Sequence, residues 1–434
     1  MKKWLRASVV IGLLIFAASA AVGGFEKTAV DKSKSQENLY SQVELFADAV
    51  SILRGEYVDE IDSKKLIYGA MKGMLESLDD YSQFMEPDEY NEIKIETKGE
   101  FGGLGVEISL KDGILTVVTP MVGTPAEAAG VKAGDKIVKI DGKLTKNITL
   151  NDAVKKMRGD PGSTVILTVW RDGIANILDI SIKRAIIKVH SIKKAAILED
   201  KIGYIKLVEF QENTPRDLDE ALKKLKAEGM DSLILDLRNN PGGLLDGAVD
   251  VAERFLPKDK IIVSIKARAQ NQSNVFKSSG KVAQAGFPLI ILVNEGSASA
   301  SEIVAGAIKD NKRGIVVGAK TFGKASVQTV IPLKDGSALR FTTAYYLTPS
   351  GKLIKDEGIM PDVVVERSSG QDKKRIEDID IFEKVEGEKS LKTGKEKPSA
   401  SAQQPKDEDV EPDNQLESAL NLMKAIKIYK SEKI

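Results

Sequence analysis

The chain has 434 residues, 64 basic and 64 acidic side chains, one histidine and no cysteine. Cysteine nucleophiles, disulfides and thiolate metal sites are thereby excluded, and zero net charge gives no reason to expect a nucleic-acid partner. With His190 standing alone, multi-histidine metal sites are excluded too, and a Ser-His-Asp triad would have to use this residue of AIIKVHSIKK, around which no motif would place a hydroxyl nucleophile.

Residues 1–6 (MKKWLR) are basic, and residues 7–25 (ASVVIGLLIFAASAAVGGF) are apolar with small residues at the end. This is the layout of a secretory signal, and a run of roughly 19 residues is also long enough to remain in a bilayer as an anchor. Either way the body is expected to be extracytoplasmic: periplasmic or in the cell envelope, secreted or membrane-tethered. From Leu39, the apolar residues Leu39, Val43, Phe46, Val50, Leu53 and Tyr57 alternate steps of four and three, a helical seam that must be buried against something. A second helix is expected over 64–78, and the acidic, aromatic DDYSQFMEPDEY follows as a loop entering a short helix, within an N-terminal helical region of 37–96.

Residues 97–185 change character, with short β-rich runs (GVEISL, ILTVVTP, KIVKIDG, TVILTVWRDG, NILDISI) punctuated by Gly and Pro turns. Residues 186–365 alternate: strand IGYIKL, helix from Pro215, strand SLILDLR, helix after Gly243, strands IIVSI and PLIILV, helix from Ser299, strand GIVVGA. Such alternation predicts an α/β layer with a largely parallel sheet. Residues 366–414 are charged and poor in apolar residues, a flexible linker, and a last amphipathic helix is expected over 415–430, packing on the body or on a second subunit.

Three segments could carry chemistry. PLIILVNEGSASASEIVAGAIKD is a buried strand, a polar turn and a helix; Ser299 sits in the turn, where the Ala300 N–H would point with the helix N-terminus toward a developing negative charge. Ser297, Ser299 and Ser301 also suit helix N-capping, and the segment alone does not choose between these uses. GAKTFGKASVQTVIPL places Lys324 after a glycine and among apolar neighbours. To act as a base it must be largely neutral, so burial would have to lower its pKa by about 3 from about 10.4; otherwise it is a solvated loop lysine. LILDLRNNPGGLLDGAV ends a strand in a turn where Gly243 lets the backbone approach closely, as a turn glycine or as a second oxyanion donor.

SASASEIVAGAIKD, then GAKTFGKASVQ, with DLRNNPGG upstream, resembles the C-terminal processing peptidases, also called tail-specific proteases, and the similarity extends through residues 37–365. The resemblance implies Ser299 as nucleophile, Lys324 as general base, Gln328 positioning that lysine, and the amides of Gly243 and Ala300 as oxyanion donors. It also implies the catalytic fold shared with the Clp peptidase and crotonase enzymes. GEFGGLGVEISL and GTPAEAAGVKAGDKIVKIDG resemble the carboxylate-binding loop and later helix-turn-strand segment of a PDZ domain. Gly103, Leu104, Gly105 and Val106 would then offer N–H groups to a peptide C-terminal carboxylate, and the adjacent strand would pair with the peptide.

Together these features predict an α/β chain with a Clp/crotonase-like catalytic domain, an inserted or preceding PDZ domain and an N-terminal helical region. The expected activity is an exported serine endopeptidase acting near free C-termini of protein or peptide substrates, with no metal or cofactor; the N-terminal segment is a cleaved signal or a membrane tether, and the terminal helices build a homo-oligomer or fold back on the same body. A catalytically silent PDZ scaffold and a crotonase-like acyl-CoA enzyme are the rivals.

Overall fold

The computed structural model describes residues 39–111, 113–174, 176–268, 270–281, 286–368 and 413–431. The expected signal or anchor of residues 1–25 and most of the expected linker lie outside the described residues; no helix among those described is long and apolar enough to cross a membrane. The chain forms two compact units, one of residues up to Glu86 with Ala338–Phe341 and one of the remainder.

In the first unit, residues 39–56 are helical, as the seam predicts, yet Leu39, Val43, Phe46 and Leu53 stay exposed. A second helix, Ser63–Glu76, begins at Asp62, whose carboxylate accepts the Lys64 N–H at 2.8 Å. It buries Tyr68 and Leu75, and Tyr68 meets Phe84 edge to face at 4.8 Å. Phe84 belongs to the strand Gln83–Met85, which pairs antiparallel with Ala338–Arg340.

The second unit begins with the helix Pro87–Lys98 and contains two sheets that carry the functional segments. In the smaller module the strands lie in the order Val106–Lys111, Ile114–Pro120, Lys136–Ile140, Thr164–Trp170 and Leu178–Lys183, all antiparallel. Alternation along TVILTVW buries Val165, Leu167 and Val169 against Ala153 and Met157 of the helix Leu150–Met157. Among the described residues Val106–Lys111 is an edge strand, paired on one side, a geometry suited to adding another extended chain. Both crossings between this module and the rest run through a two-stranded ribbon, Glu100–Gly103 against Ala185–Lys188.

The larger sheet has the order Ile192–Ile197, Ile202–Leu207, Ser232–Asp236, Leu289–Val293, Ile315–Gly318 and Val363–Val364; only the first pair is antiparallel. Its central strands are fully buried because both faces are covered. Leu233, Leu235, Ile291 and Val293 face the helices Thr214–Ala227, Leu245–Glu253 and Ala300–Asp310. Ile234, Ile290 and Leu292 face Ala419 and Met423 of the C-terminal helix Asn414–Ser431. That helix therefore packs its apolar face on this chain's own sheet, while Ile428 and Tyr429 near its end stay exposed. IIVSI also departs from expectation: Ile261–Ala267 leaves the parallel sheet and pairs antiparallel with Asn274–Lys277 and Ala344–Leu347. A hairpin partner a few residues downstream needs only a short connection, whereas joining a parallel sheet requires a crossover.

Candidate active site

In an open α/β sheet, ligands collect beyond the carboxyl ends of the strands. Here the two central strands, Ser232–Asp236 and Leu289–Val293, end in the NNPGG and NEGSASAS turns. The three serines of the second turn have different fates. Ser297 Oγ donates to Leu237 O and Ser301 Oγ donates to Asn240 O, both at 2.9 Å, and both residues are fully buried. They bolt one turn to the other. Ser299 is half-exposed, immediately before the helix Ala300–Asp310, with φ 53° and ψ −112°. A non-glycine residue held there stores about 1–3 kcal/mol of strain, a feature of tight strand-to-helix turns that project a nucleophile.

The turn Asn239–Gly243 lies against that serine. Asn240 accepts the Ala298 N–H through its carbonyl at 3.0 Å and the Gly242 N–H through its side chain at 2.9 Å. A methyl group at Gly242, where φ is +112°, would stand 2.8 Å from Ser299 Cβ and 3.0 Å from Ala300 N, so only glycine fits. Phe210 N–H donates to Gly242 O and Leu244 N–H donates to Phe210 O, which directs the intervening Gly243 amide away from Phe210. The Ala300 amide opens its helix and has no carbonyl one turn back to receive it.

Lys324 follows Gly323 in the loop before the strand Ser326–Pro332 and is half-buried; Gln328 lies in that strand, also half-buried. A residue that sequence reasoning missed joins this loop to Ser299. Glu302 is fully buried, and its Oε2 accepts the Ser299 N–H and the Lys324 N–H, each at 2.9 Å. Its Oε1 accepts Thr321 Oγ1 at 2.6 Å and the Gly323 N–H at 2.7 Å. The backbone nitrogens of Ser299 and Lys324 are thus no farther apart than two hydrogen bonds laid end to end. Tyr346 adds a clasp, its hydroxyl lying within 3.3 Å of both Glu302 Oε2 and Ser299 O and donating to Lys324 O. Burial pushes the Glu302 carboxyl above its ordinary pKa, and the hydrogen bonds from Thr321, Gly323, Ser299 and Lys324 oppose that rise. The signal for Glu302 was present as the S-x-x-E spacing of a helix start. His190, by contrast, is exposed beside the ribbon end.

In the smaller module, Gly103 closes the ribbon, Leu104 is buried and Val106 opens the edge strand. The carbonyls of Leu104 and Gly105 are tied inward, accepting the N–H groups of Ala126 and Met121 at 2.9 and 2.8 Å. Gly105 has φ +73°, and a methyl group there would come within 2.4 Å of Thr124. The module meets the helix Pro87–Lys98 through Lys155–Asp88 at 2.7 Å and an Arg158–Glu92 ion pair.

Residues 201–365 match peptidase family S41, residues 116–171 match a PDZ domain, and residues 12–89 match the activating protease CtpB N-terminal domain. A carboxy-terminal-processing protease of Bartonella bacilliformis is 45% identical over 341 residues, covering 77% of this chain and 77% of the relative. A probable CtpA-like serine protease of Staphylococcus aureus is 35% identical over 436 residues, covering 98% of this chain and 84% of its own. Among solved structures, a photosystem II D1 C-terminal processing protease is 33% identical with a TM-score of 0.42, covering 74% of this chain and 92% of that one.

Proposed function

We propose, for a chain that belongs to peptidase family S41 and is a carboxy-terminal-processing serine protease with a PDZ domain, that Ser299 is the nucleophile and Lys324 the general base. Neutral Lys324 takes the Ser299 proton as Oγ attacks the peptide carbonyl, and the oxyanion rests on the amides of Gly243 and Ala300. Collapse breaks the C–N bond as Lys324 returns the proton to the leaving amine. Water, deprotonated by the same lysine, then hydrolyses the ester and restores Ser299. The observation that carries this reading is the Glu302 carboxylate, which holds the backbones of Ser299 and Lys324 on a single oxygen. The commitment of Ser297 and Ser301 to turn carbonyls leaves the half-exposed serine as the one suited to attack. Gln328, four residues beyond Lys324, orients the lysine.

The edge strand Val106–Lys111 receives the substrate's C-terminal segment, and Gly103 to Val106 receive its carboxylate. The basic and apolar N-terminus supports an extracytoplasmic enzyme, tethered or secreted. The exposed seam of residues 39–56 supports a homo-oligomer formed through that helix.

A fluorophosphonate probe and a peptide substrate test the dyad. Labelling should be confined to Ser299, and Ser299→Ala and Lys324→Ala should each abolish turnover, with a double variant no slower than either. Labelling at another serine, or additive losses, would overturn the assignment.

A further inference from the structure

Beneath the Asn239–Gly243 turn lies a buried group of charges that the reaction does not use. Asp236, fully buried, accepts Tyr204 Oη at 2.8 Å, Lys206 Nζ at 3.0 Å and Arg238 Nη2 at 2.7 Å. Lys206 Nζ also donates to Arg238 O at 2.7 Å, and the Arg238 N–H donates to Asp236 Oδ1 at 2.9 Å. The peptide groups on both sides of Arg238 are therefore pinned. The outer side of the guanidinium is closed from the far end of the chain. Asp413 accepts Nη1 and Nη2 at 2.6 and 2.8 Å, a bidentate pair, and Gln415 Oε1 accepts Nη1 at 3.2 Å.

We propose that Asp413 is a positioning residue for catalysis: the C-terminal helix, by clamping Arg238, fixes the turn that presents the Gly243 amide. The proposal rests on the reading of Ser299, Gly243 and Ala300 given above.

The link from Arg238 to the chemistry has little slack. Asn239, next in the chain, has φ 54°, donates its N–H to Asn294 Oδ1 at 2.8 Å and accepts Asn294 Nδ2 at 2.8 Å. Asn240 then ties to Leu207 O and to the backbone and side chain flanking Ser299. A tilt of Arg238 thus moves a turn bonded directly to the nucleophile's helix. Charge balance explains why Asp413 is needed there. Lys206 and Arg238 are matched by Asp236 and Asp413; without Asp413 an excess positive charge remains in a site where Arg238 is 11% and Lys206 19% exposed. Such a cluster relaxes by moving Arg238 toward water or by losing a proton from Lys206, whose pKa burial already lowers. Either change loosens the Arg238 carbonyl.

The helix docks by its own contacts. The chain leaves this spot at Val365 and returns to it at Asp413: Gln415 Nε2 donates to Val365 O at 2.8 Å, Asn414 Nδ2 donates to Glu366 O at 2.7 Å, and the Ser368 N–H donates to Asn414 Oδ1 at 3.1 Å. Farther along, Lys427 pairs with Asp231 at 2.7 Å, a docking contact remote from Arg238.

The test compares Asp413→Asn, Asp413→Glu and Lys427→Ala in the full chain by kcat, KM, melting temperature and the rate of Ser299 labelling by a fluorophosphonate. Asp413→Asn should lower kcat and labelling rate about 10- to 100-fold with KM within about twofold. Asp413→Glu should recover most of that loss, and Lys427→Ala should lower the melting temperature while leaving kcat unchanged. If Asp413→Asn does not fold, Gln415→Ala replaces it, with an expected fall in kcat of about three- to fivefold at unchanged KM. Asp413→Asn labelling and turning over at the wild-type rate would overturn the proposal, as would losses in kcat that track melting temperature across all variants. A wild type not labelled at Ser299 would instead refute the underlying site assignment, so the two failures are distinct.

Discussion

Replacing Glu302 by glutamine preserves the shape of the side chain and removes its charge. Oε1 now accepts Thr321 Oγ1 and the Gly323 N–H, and Oε2 accepts the N–H groups of Ser299 and Lys324. An amide has one acceptor oxygen, so in either orientation its NH₂ group faces a backbone N–H: that of Gly323, or those of Ser299 and Lys324. Combining weakened charge-assisted bonds with one unsatisfied buried donor costs about 2–4 kcal/mol. Expressed in the transition state, that is about 30- to 1,000-fold in kcat. The pH profile separates this role from a general loss of packing. On the proposed role of Lys324 as the base, activity falls as pH drops; protonation of Glu302, whose pKa burial raises, adds a further loss that steepens the wild-type slope, whereas Glu302→Gln has already taken that loss and does not steepen. Stability moves in the opposite sense. A carboxyl whose pKa is raised in the fold costs most above that pKa, and the cost is relieved as pH falls toward the unfolded value of about 4.3. Stopped assays of peptide cleavage across pH, with thermal melts, would measure both. A glutamine variant within about threefold of wild-type kcat, or one with the wild-type slope, would refute the reasoning.

Gly242→Ala should lower kcat by about 100-fold or more and abolish Ser299 labelling, because the new methyl group collides with Ser299 Cβ and Ala300 N. Gly130→Ala, also at positive φ but facing open space, is the control and should cost only about 1 kcal/mol of stability in a thermal melt. In the Ser299→Ala chain, a peptide with a free C-terminal carboxylate should bind more tightly than its amide by isothermal titration; equal affinities would remove the role of Gly103 to Val106. Phe46→Glu should shift light scattering toward monomer, whereas a wild type that is monomeric at every concentration would dismiss assembly through residues 39–56.

What was legible in the sequence was whatever depends on neighbours along the chain. Alternating burial in TVILTVW and unbroken burial in SLILD follow from each strand's own residues, and so did the α/β layer and the β-rich module. From its own segment Ser299 was legible only as one of three serines, and the family resemblance singled it out; the physical distinction is that Leu237 O and Asn240 O, in a distant turn, receive the other two hydroxyls. Glu302 illustrates the same limit more sharply. Its spacing from Ser299 reads as a helix start, and it is one; its other half, the amides of Gly323 and Lys324, arrives from beyond a strand that no local pattern connects to it. The strand Ile261–Ala267 was correctly expected as a strand and wrongly expected in the parallel sheet, since β-propensity reports extension and not partnership. The C-terminal helix shows the same limit, since its stripe was legible but its seat, the far face of this chain's own sheet, was not. Asp413, at the start of that helix, pairs with Arg238 and adds a polar anchor to the docking. An apolar stripe states that a helix must be covered; the ion pair at this helix's start adds a contact that no stripe predicts.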